Sequence, residues 1–366
     1  METLIVWPIG GLVHLYLSQT VKLGCITSVL TKIRDENTKC TRRNTFMIKP
    51  VAIAASFFLL GTSVLYSEKL VVSNERGNSL TVLTLDGELI KELPSCGRPR
   101  GMHFSQDKKN FFVGCADDNL VLIYDSETLE VAGRITNVYA PETFDLHPDG
   151  ERLIVSNEED ATATVWNWST GEFLSEYETG EEPEGVQITN DGRYAFVASE
   201  VADLVHVIDL ETDEVALDIP VDTRPRRFAL SPDEKLLYVS AELASVVNII
   251  SLKEMKVIDT LTFLPPGFRK EHVTPVDILL NKAGNLGFVA LGRANHVGLF
   301  DTATREVLDY ILVGKRAWGL ALNSDETRLY VANGLSDDIS IIDLEKRRSI
   351  KSVKVGSVPY GILVFE

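Results

Sequence analysis

Hydrophobic and polar positions alternate in short runs from Leu70 to the end of the chain, and one four-residue phrase returns in every repeat. The phrase reads VVSN, FVGC, IVSN, FVAS, YVSA, FVAL and YVAN, with central valines at Val72, Val113, Val155, Val197, Val239, Val289 and Val331. The valines are separated by steps of 41, 42, 42, 42, 50 and 42 residues. A period of about 40 to 45 residues made of several short strands is typical of one β-propeller blade.

Each repeat predicts four strands, which we label A to D. Strand A alternates apolar and polar residues, as in 185–189, and ends in turn residues such as Asn190-Asp191-Gly192. Strand B is the recurring phrase. Strand C is a β-branched run such as 205–209, and strand D follows a short turn, as in 214–219. Alternation bounded by Asn, Asp, Gly and Pro is the usual signal for strands joined by hairpins.

The order of the strands predicts how the ring closes. The repeat region begins with a B strand, 69–74, and ends with an A strand, 360–365. Neither piece completes a blade alone, and pairing them removes the exposed edges of an open array. We therefore predict an all-β fold: a seven-bladed propeller over residues 68–366, closed by three N-terminal strands and one C-terminal strand.

The first 67 residues have a different pattern. Lys49 precedes an uncharged run, 51–65, so 47–67 is predicted to be a signal peptide that exports the protein to the periplasm. An uncleaved membrane anchor is the alternative. Residues 1–46 contain another uncharged stretch, 4–21, broken by Pro and Gly. We interpret 1–46 as an extension upstream of the true start, Met47; a membrane-spanning segment is the alternative.

Charge narrows the choice of partners. The chain carries a net charge of −17, and the first 67 residues have seven Lys or Arg against three Asp or Glu, which leaves the propeller near −21. Such a surface argues against nucleic acid or an anionic membrane as a partner. We interpret it mainly as a solvated surface, with a basic protein partner as the alternative. The four cysteines match no metal or haem spacing.

Several segments carry a family resemblance. They are 224–228 (RPRRF), 289–295 (VALGRAN), 306–316 (EVLDYILVGKR) and 333–338 (NGLSDD). With the recurring phrase, they resemble the YVTN-repeat β-propeller family and its subgroup associated with catabolism dependent on pyrroloquinoline quinone (PQQ). The resemblance implies a periplasmic protein without catalysis of its own. Its expected partner is a quinoprotein dehydrogenase, a c-type cytochrome or a transport component.

Two other functions stay open. Propellers with a similar repeat include lactonases, for which acids such as Glu75, Glu158 or Glu200 would act as general bases. Related propellers also hold a haem of the d type over the central mouth. No catalytic triad, phosphate-binding loop or zinc motif is legible. We predict no catalytic residue, no metal site and no cofactor.

Candidate binding residues cluster on one predicted face, the upper face, where the D-to-A and B-to-C loops open. Positions that begin strand A carry Arg100, Glu142, Glu184, Arg226, Trp318 and Tyr360. Nearby positions carry Arg98, Glu182, Arg224, Arg316, Glu75, Glu158, Glu200 and Glu242. These charges either hold a ligand carboxylate through Arg side chains or pair across blades. We favour pairing across blades.

Two further features lie in loops on this face. The 50-residue step reflects an insertion, 264–274, from which Arg269 or His272 would reach a ligand or partner; a passive loop is the alternative. The same assignment of strands and loops places Cys96 and Cys115 close together. A disulfide is feasible in an oxidising periplasm, and two free thiols are the alternative.

Overall fold

The computed structural model describes residues 68–365, which form seven four-stranded antiparallel sheets. The predicted fold class, a seven-bladed all-β propeller, is confirmed. The N-terminal segments predicted for 1–46 and 47–67 lie outside the described residues and stay predictions. No helical segment within 68–365 has the length and hydropathy of a membrane span.

The 28 strands follow the chain in order, and blades are numbered along it. Blade 1 begins with β1 (Lys69–Asn74), β2 (Ser79–Thr84) and β3 (Leu89–Pro94). Blade 2 contains β4 (Pro99–Phe104), β5 (Asn110–Cys115), β6 (Leu120–Asp125) and β7 (Val131–Thr136). Blade 3 contains β8 (Pro141–Leu146), β9 (Arg152–Asn157), β10 (Thr162–Asn167) and β11 (Glu172–Glu178). Blade 4 contains β12 (Pro183–Ile188), β13 (Tyr194–Ser199), β14 (Leu204–Asp209) and β15 (Glu214–Pro220).

The remaining blades repeat this order. Blade 5 contains β16 (Pro225–Leu230), β17 (Leu236–Ala241), β18 (Val246–Ser251) and β19 (Lys256–Thr262). Blade 6 contains β20 (Ile278–Leu280), β21 (Leu286–Ala290), β22 (His296–Asp301) and β23 (Val307–Leu312). Blade 7 contains β24 (Ala317–Leu322), β25 (Arg328–Asn333), β26 (Asp338–Asp343) and β27 (Arg348–Lys354). The last strand, β28 (Pro359–Phe365), returns to blade 1.

Strand β28 closes the ring as predicted, because it pairs antiparallel with β1 and completes the order β28-β1-β2-β3. Its register places Phe365 opposite Lys69 and Ile362 opposite Val72. The Phe365 ring then meets Phe104 and Phe111 of blade 2 edge-on, with centroids 4.6 and 5.4 Å away. Closure therefore seals the sheet edge and also fills the core between blades 1 and 2.

The core lies between neighbouring blades. Strands of the B and C type are buried on both faces, as in β17 and β18, whereas outer strands such as β3 are largely exposed. Burial on both faces explains why the first two positions of the recurring phrase carry a β-branched or aromatic residue in every blade. Buried and exposed residues alternate only weakly along the D strands, because only one face of each D strand meets the core.

Serines of the recurring phrase fix the inner strands to one another. Ser73 donates to the Arg100 carbonyl at 2.8 Å, and Ser156 donates to the Glu184 carbonyl at 2.6 Å. Each bond joins a B strand to the A strand of the next blade. A Cβ at Gly101 would stand 2.8 Å from the Glu142 carbonyl oxygen, so glycine permits this close approach of backbones. Backbones held in this way position the side chains at the upper end of the channel.

Candidate functional site

The seven innermost strands surround a central channel in the cyclic order β28, β4, β8, β12, β16, β20, β24. Charged side chains from their upper ends and adjoining loops form what we call the mouth ring. It comprises Glu75, Arg98, Arg100, Glu142, Glu158, Glu184, Glu200, Arg224, Arg226, Glu242 and Arg316. The structure thus brings together the charged A-strand and B-strand positions singled out from the sequence.

Ion pairs in the mouth ring join different blades. Arg98 lies 3.1 Å from Glu75 of blade 1 and 3.3 Å from Glu158 of blade 3. Arg226 of blade 5 contacts Glu200 of blade 4, lies 2.9 Å from Glu184 of the same blade and lies 3.4 Å from Glu242 of its own blade. Pairing across blades satisfies much of this buried charge.

The remaining pairs follow the same plan. Arg100 contacts Glu142 and lies 3.4 Å from Glu158. Arg224 lies 2.6 Å from Glu200 and 3.8 Å from Glu182, while Arg316 lies 3.2 Å from Glu242. Arg100 also lies 3.7 Å from Glu184, so these pairs form one continuous network rather than a set of separate bridges.

Two pairs of glutamates occupy equivalent places in blades 3 and 4. Strand β8 pairs Pro141 with Asn157 of β9, which places Glu142 beside Glu158. In blade 4, Glu184 and Glu200 stand in the same relation. The two carboxyl groups of each pair lie close enough to shift each other's pKa. Two neighbouring carboxylates repel each other, so ionising both members of a pair is unfavourable.

Burial and neighbouring charges decide where the protons lie. Burial and the Glu184 carboxylate raise the pKa of Glu142 well above its usual range. Burial and Glu184 also raise the pKa of Glu200, to about 9. Burial would raise the pKa of Glu184 too, but Arg226, Arg227 and Arg100 outweigh it and lower the value to about 2. At neutral pH Glu200 therefore keeps its proton beside the Glu184 carboxylate, and burial favours the protonated form of Glu142.

Glu158 differs from the other three acids because its side chain is 25% exposed. Burial would raise its pKa, but the hydrogen bond from Glu142 and the charge of Arg100 lower it. A cavity of about 520 Å³ adjoins it, lined by Arg98, Glu158, Glu159, Ala161, Glu181 and Glu182. We call this cavity the acidic pocket. Its volume is within the range of small-molecule sites.

Two aromatic residues complete the centre. The Tyr360 hydroxyl lies 3.2 Å from Glu142 Oε2, and Arg100 stands 4.7 Å from the Tyr360 ring centre. Arg316 and Arg226 stand 4.7 and 5.4 Å from the Trp318 ring. Cation–π contacts of this kind stabilise guanidinium groups that are shielded from water. Trp318 and Tyr360 are thus part of the charged centre.

The insertion does not bring its predicted residues into the mouth ring. It contains a short 3-10 helix, Lys270–His272. The Arg269 side chain is 80% exposed, and its nearest ion-pair partner is Glu271 at 3.9 Å. His272 is also exposed. A role for either residue in binding stays a prediction.

Cys96 and Cys115 form a disulfide with a Cα–Cα distance of 5.6 Å. Cys96 precedes strand β4, and Cys115 ends strand β5. The bridge therefore anchors the loop that carries Arg98 into the mouth ring. Across residues 68–365, no group of three or more His, Cys, Asp and Glu residues is arranged to hold a metal ion.

Sequence reasoning missed Arg227 and Asp277. Arg227 contacts the Tyr360 hydroxyl and lies 3.3 Å from Glu184 Oε2. Burial would lower its pKa, but Tyr360 and Glu184 raise it. The equivalent positions in other blades hold small residues such as Gly101, Thr143 and Gly185. A charged residue at this position was therefore the sequence signal that could have identified Arg227 and Asp277.

Solved structures of known proteins share this fold. The periplasmic gluconolactonase of Pseudomonas aeruginosa matches with a TM-score of 0.70 and 19% identity, covering 82% of this chain and 99% of that one. A candidate 6-phosphogluconolactonase of Bacteroides fragilis matches with a TM-score of 0.68 and 18% identity, covering 82% and 98%. Hydrazine synthase of Kuenenia stuttgartiensis matches with a TM-score of 0.65 and 19% identity, covering 72% and 88%. At these identities the likeness shows the fold. No curated protein matches the chain in sequence.

A family model described as lactonase, 7-bladed beta-propeller, matches residues 176–358, half of the chain. Lactonases are hydrolases, so the prediction of a protein without catalysis of its own is wrong. That prediction rested on the resemblance to the PQQ-associated subgroup. The sequence alone did not show the paired carboxyl groups that suit acid–base chemistry, because they come together only when the A and B strands of a blade pair. The chain belongs to the seven-bladed β-propeller lactonase family.

Proposed function

We propose that the protein hydrolyses an uncharged sugar-acid lactone in the acidic pocket, with Glu158 as general base. The observation that carries this proposal is the place of Glu158, whose side chain is 25% exposed, lines the acidic pocket and stands beside the buried Glu142. Because burial raises the pKa of Glu142, whereas Glu142 and Arg100 lower the pKa of Glu158, the accessible Glu158 is the member of the pair placed to accept a proton from water.

The reaction follows from this arrangement. Glu158 takes a proton from a water molecule, and the resulting hydroxide adds to the lactone carbonyl carbon. The ring carbon–oxygen bond then breaks, and the ring oxygen recovers the proton from Glu158, giving an open hydroxy acid. Arg98, 3.3 Å from Glu158 and 23% exposed, is placed to stabilise the negative charge on the former carbonyl oxygen.

The lining of the acidic pocket favours an uncharged substrate. Four glutamates and one arginine surround it, and like charges brought together in a partly desolvated site repel strongly. A lactone carrying a phosphate group would meet that repulsion. Of the neighbours' two substrate types, gluconolactone and 6-phosphogluconolactone, the unphosphorylated one suits this chain.

The experiment compares D-glucono-1,5-lactone with its 6-phosphate, measured by pH-stat with the spontaneous rate subtracted. We expect kcat/KM for the uncharged lactone to exceed that for the phosphate by at least about tenfold at low salt. The ratio should fall as ionic strength rises, because salt screens the repulsion. A preference for the phosphorylated lactone would contradict the proposal.

The place of action is a separate proposal. The disulfide between Cys96 and Cys115 supports an oxidising compartment such as the periplasm. The resemblance to the PQQ-associated subgroup supports a role beside quinoprotein oxidation, in which a lactone is a natural oxidation product of a cyclic sugar. Partners of the dehydrogenase, cytochrome or transporter type stay predictions.

A further inference from the structure

A second cavity, of about 210 Å³, lies in the central channel below Tyr360 and is lined by Arg227, Asp277, Phe144, Phe228, Leu320 and Ile362. None of these residues lines the acidic pocket. Most of them occupy the third or fourth position of an A strand, farther from the upper face than the mouth ring. We call it the channel cavity.

Arg227 is the unusual residue at this level. The third positions of the other blades carry small residues, except in blade 6, where Asp277 stands. The Arg227 side chain is 11% exposed. Its Nη2 contacts the Tyr360 hydroxyl and Glu184, whereas its Nη1 has no hydrogen-bond partner among the described residues. A buried guanidinium N–H without an acceptor is costly.

Asp277 does not supply the missing acceptor. Its Oδ2 accepts a hydrogen bond of 2.7 Å from the Leu320 amide, and its Oδ1 accepts one of 3.0 Å from the Ile278 amide. In the described part of the chain no ion pair joins it to Arg227. The free Nη1 donor therefore suits an oxygen atom brought by a ligand.

One part of the channel cavity is apolar, while Tyr360, Thr143 and glycine backbones help to make most of its lining surface polar. Phe144, Phe228, Leu320 and Ile362 supply rings and branched side chains. An engineered apolar cavity of roughly 150 Å³ holds a benzene molecule, so the channel cavity has room for a small ring bearing one polar group. A fixed cation at one side and apolar side chains on part of the wall suit a ligand that carries one charged group and a small ring.

We infer that the channel cavity binds a small monocarboxylate with an apolar body, of about the size of benzoate. The carboxylate accepts hydrogen bonds from Arg227 Nη1, since a charge-assisted bond of this kind offsets burial of the guanidinium. The apolar body packs against Phe144 and Phe228. The site is distinct from the acidic pocket and does not depend on lactone hydrolysis.

The test is calorimetric titration of the purified protein with benzoate, and with benzyl alcohol as an uncharged analogue. We expect saturable benzoate binding, at least about tenfold weaker for benzyl alcohol and for Arg227→Gln. Arg348→Gln removes an exposed arginine of outer strand β27 as a matched control and should bind as wild type does. No saturable benzoate binding, or equal affinity for benzyl alcohol, would overturn the inference.

Two further variants test the inference even if Arg227→Gln folds poorly. Asp277→Asn removes the nearest negative charge that borders the cavity, so benzoate should bind severalfold more tightly. Glu159→Gln alters an exposed residue of the acidic pocket and should leave benzoate affinity unchanged. Weaker or unchanged binding in Asp277→Asn, or lost binding in Glu159→Gln, would contradict the assigned position. Because binding is measured directly, its failure is distinguishable from absence of lactonase activity.

Discussion

The Tyr360 hydroxyl lies 3.2 Å from Glu142 Oε2 and links the last strand of the chain to the carboxyl pair of blade 3. The strand that closes the ring therefore also supplies a side chain to its centre. Arg100 and Arg227 approach the same hydroxyl. Burial raises the pKa of Tyr360 despite these two cations, so the phenol keeps its proton at neutral pH.

Replacing Tyr360 with Phe should lower both stability and kcat. The variant removes the hydrogen bond to Glu142 while keeping the ring beside Trp318, so we expect a loss of about 1–2 kcal/mol in the free energy of unfolding. Urea denaturation and lactone hydrolysis measure the two effects.

The matched control for that variant is Tyr177→Phe. Tyr177 donates a 2.6 Å hydrogen bond to Asp213, and the residue sits on outer strand β11, far from the mouth ring. This variant should lose stability but keep full kcat. An unchanged kcat in Tyr360→Phe would show that Tyr360 does not help to position Glu142.

The Glu200 side chain should make the protein less stable as the pH rises. Its pKa is raised to about 9 in the folded state, so it favours folding below the unfolded value of about 4.5 and loses that contribution between there and pH 9. In Glu200→Gln the side chain cannot ionise. Urea denaturation at pH 5, 7 and 9 should show a smaller decline in this variant than in the wild type.

The Glu184 side chain should change stability with pH in the opposite direction to Glu200. Its pKa is lowered to about 2, so it stabilises the fold above about pH 4.5 and loses this effect as the pH falls towards 2. Glu184→Gln leaves Arg226 and Arg227 without their shared carboxylate, and removing one partner of a buried ion pair costs about 3–5 kcal/mol. A Glu184→Gln protein as stable as the wild type at pH 7 would contradict the assigned charge.

Removing the disulfide should destabilise the protein and disturb Arg98. Cys96 and Cys115 are 19 residues apart, and crosslinking a loop of this length restricts the unfolded chain by about 3 kcal/mol. We expect a lower Tm in the presence of reductant, with a higher KM for the lactone. The Cys96→Ser, Cys115→Ser double variant should show the lower Tm with or without reductant. Equal Tm values for oxidised and reduced wild-type protein would refute this role.

Much of the fold is predictable because the repeat marks one strand in every blade. The phrase VVSN predicts a strand over 69–74, the range that β1 occupies. The closing strand predicted over 360–365 matches β28 to within one residue. These predictions succeed because strands buried on both faces need β-branched and aromatic residues.

The site was less predictable, since its chemistry depends on distances between blades. Periodicity places Glu142, Glu158, Glu184 and Glu200 on the upper rim, and the equal spacing within blades 3 and 4 follows from the sequence. It does not show that Glu142 and Glu200 are buried, and burial is what raises their pKa values. Arg227 escaped notice because its side chain lies in the channel, at a position that carries a small residue in most blades.

The most direct test of the account is lactone hydrolysis by Glu158→Gln and Asp160→Asn. Both variants remove one negative charge from the same loop, but Asp160 is exposed and does not line the acidic pocket. Loss of a general base typically slows a reaction about 10²- to 10⁴-fold. We predict that kcat for D-glucono-1,5-lactone falls at least about 100-fold in Glu158→Gln and stays near the wild-type value in Asp160→Asn. Equal kcat values for Glu158→Gln and the wild type, or no wild-type rate above spontaneous hydrolysis, would contradict it.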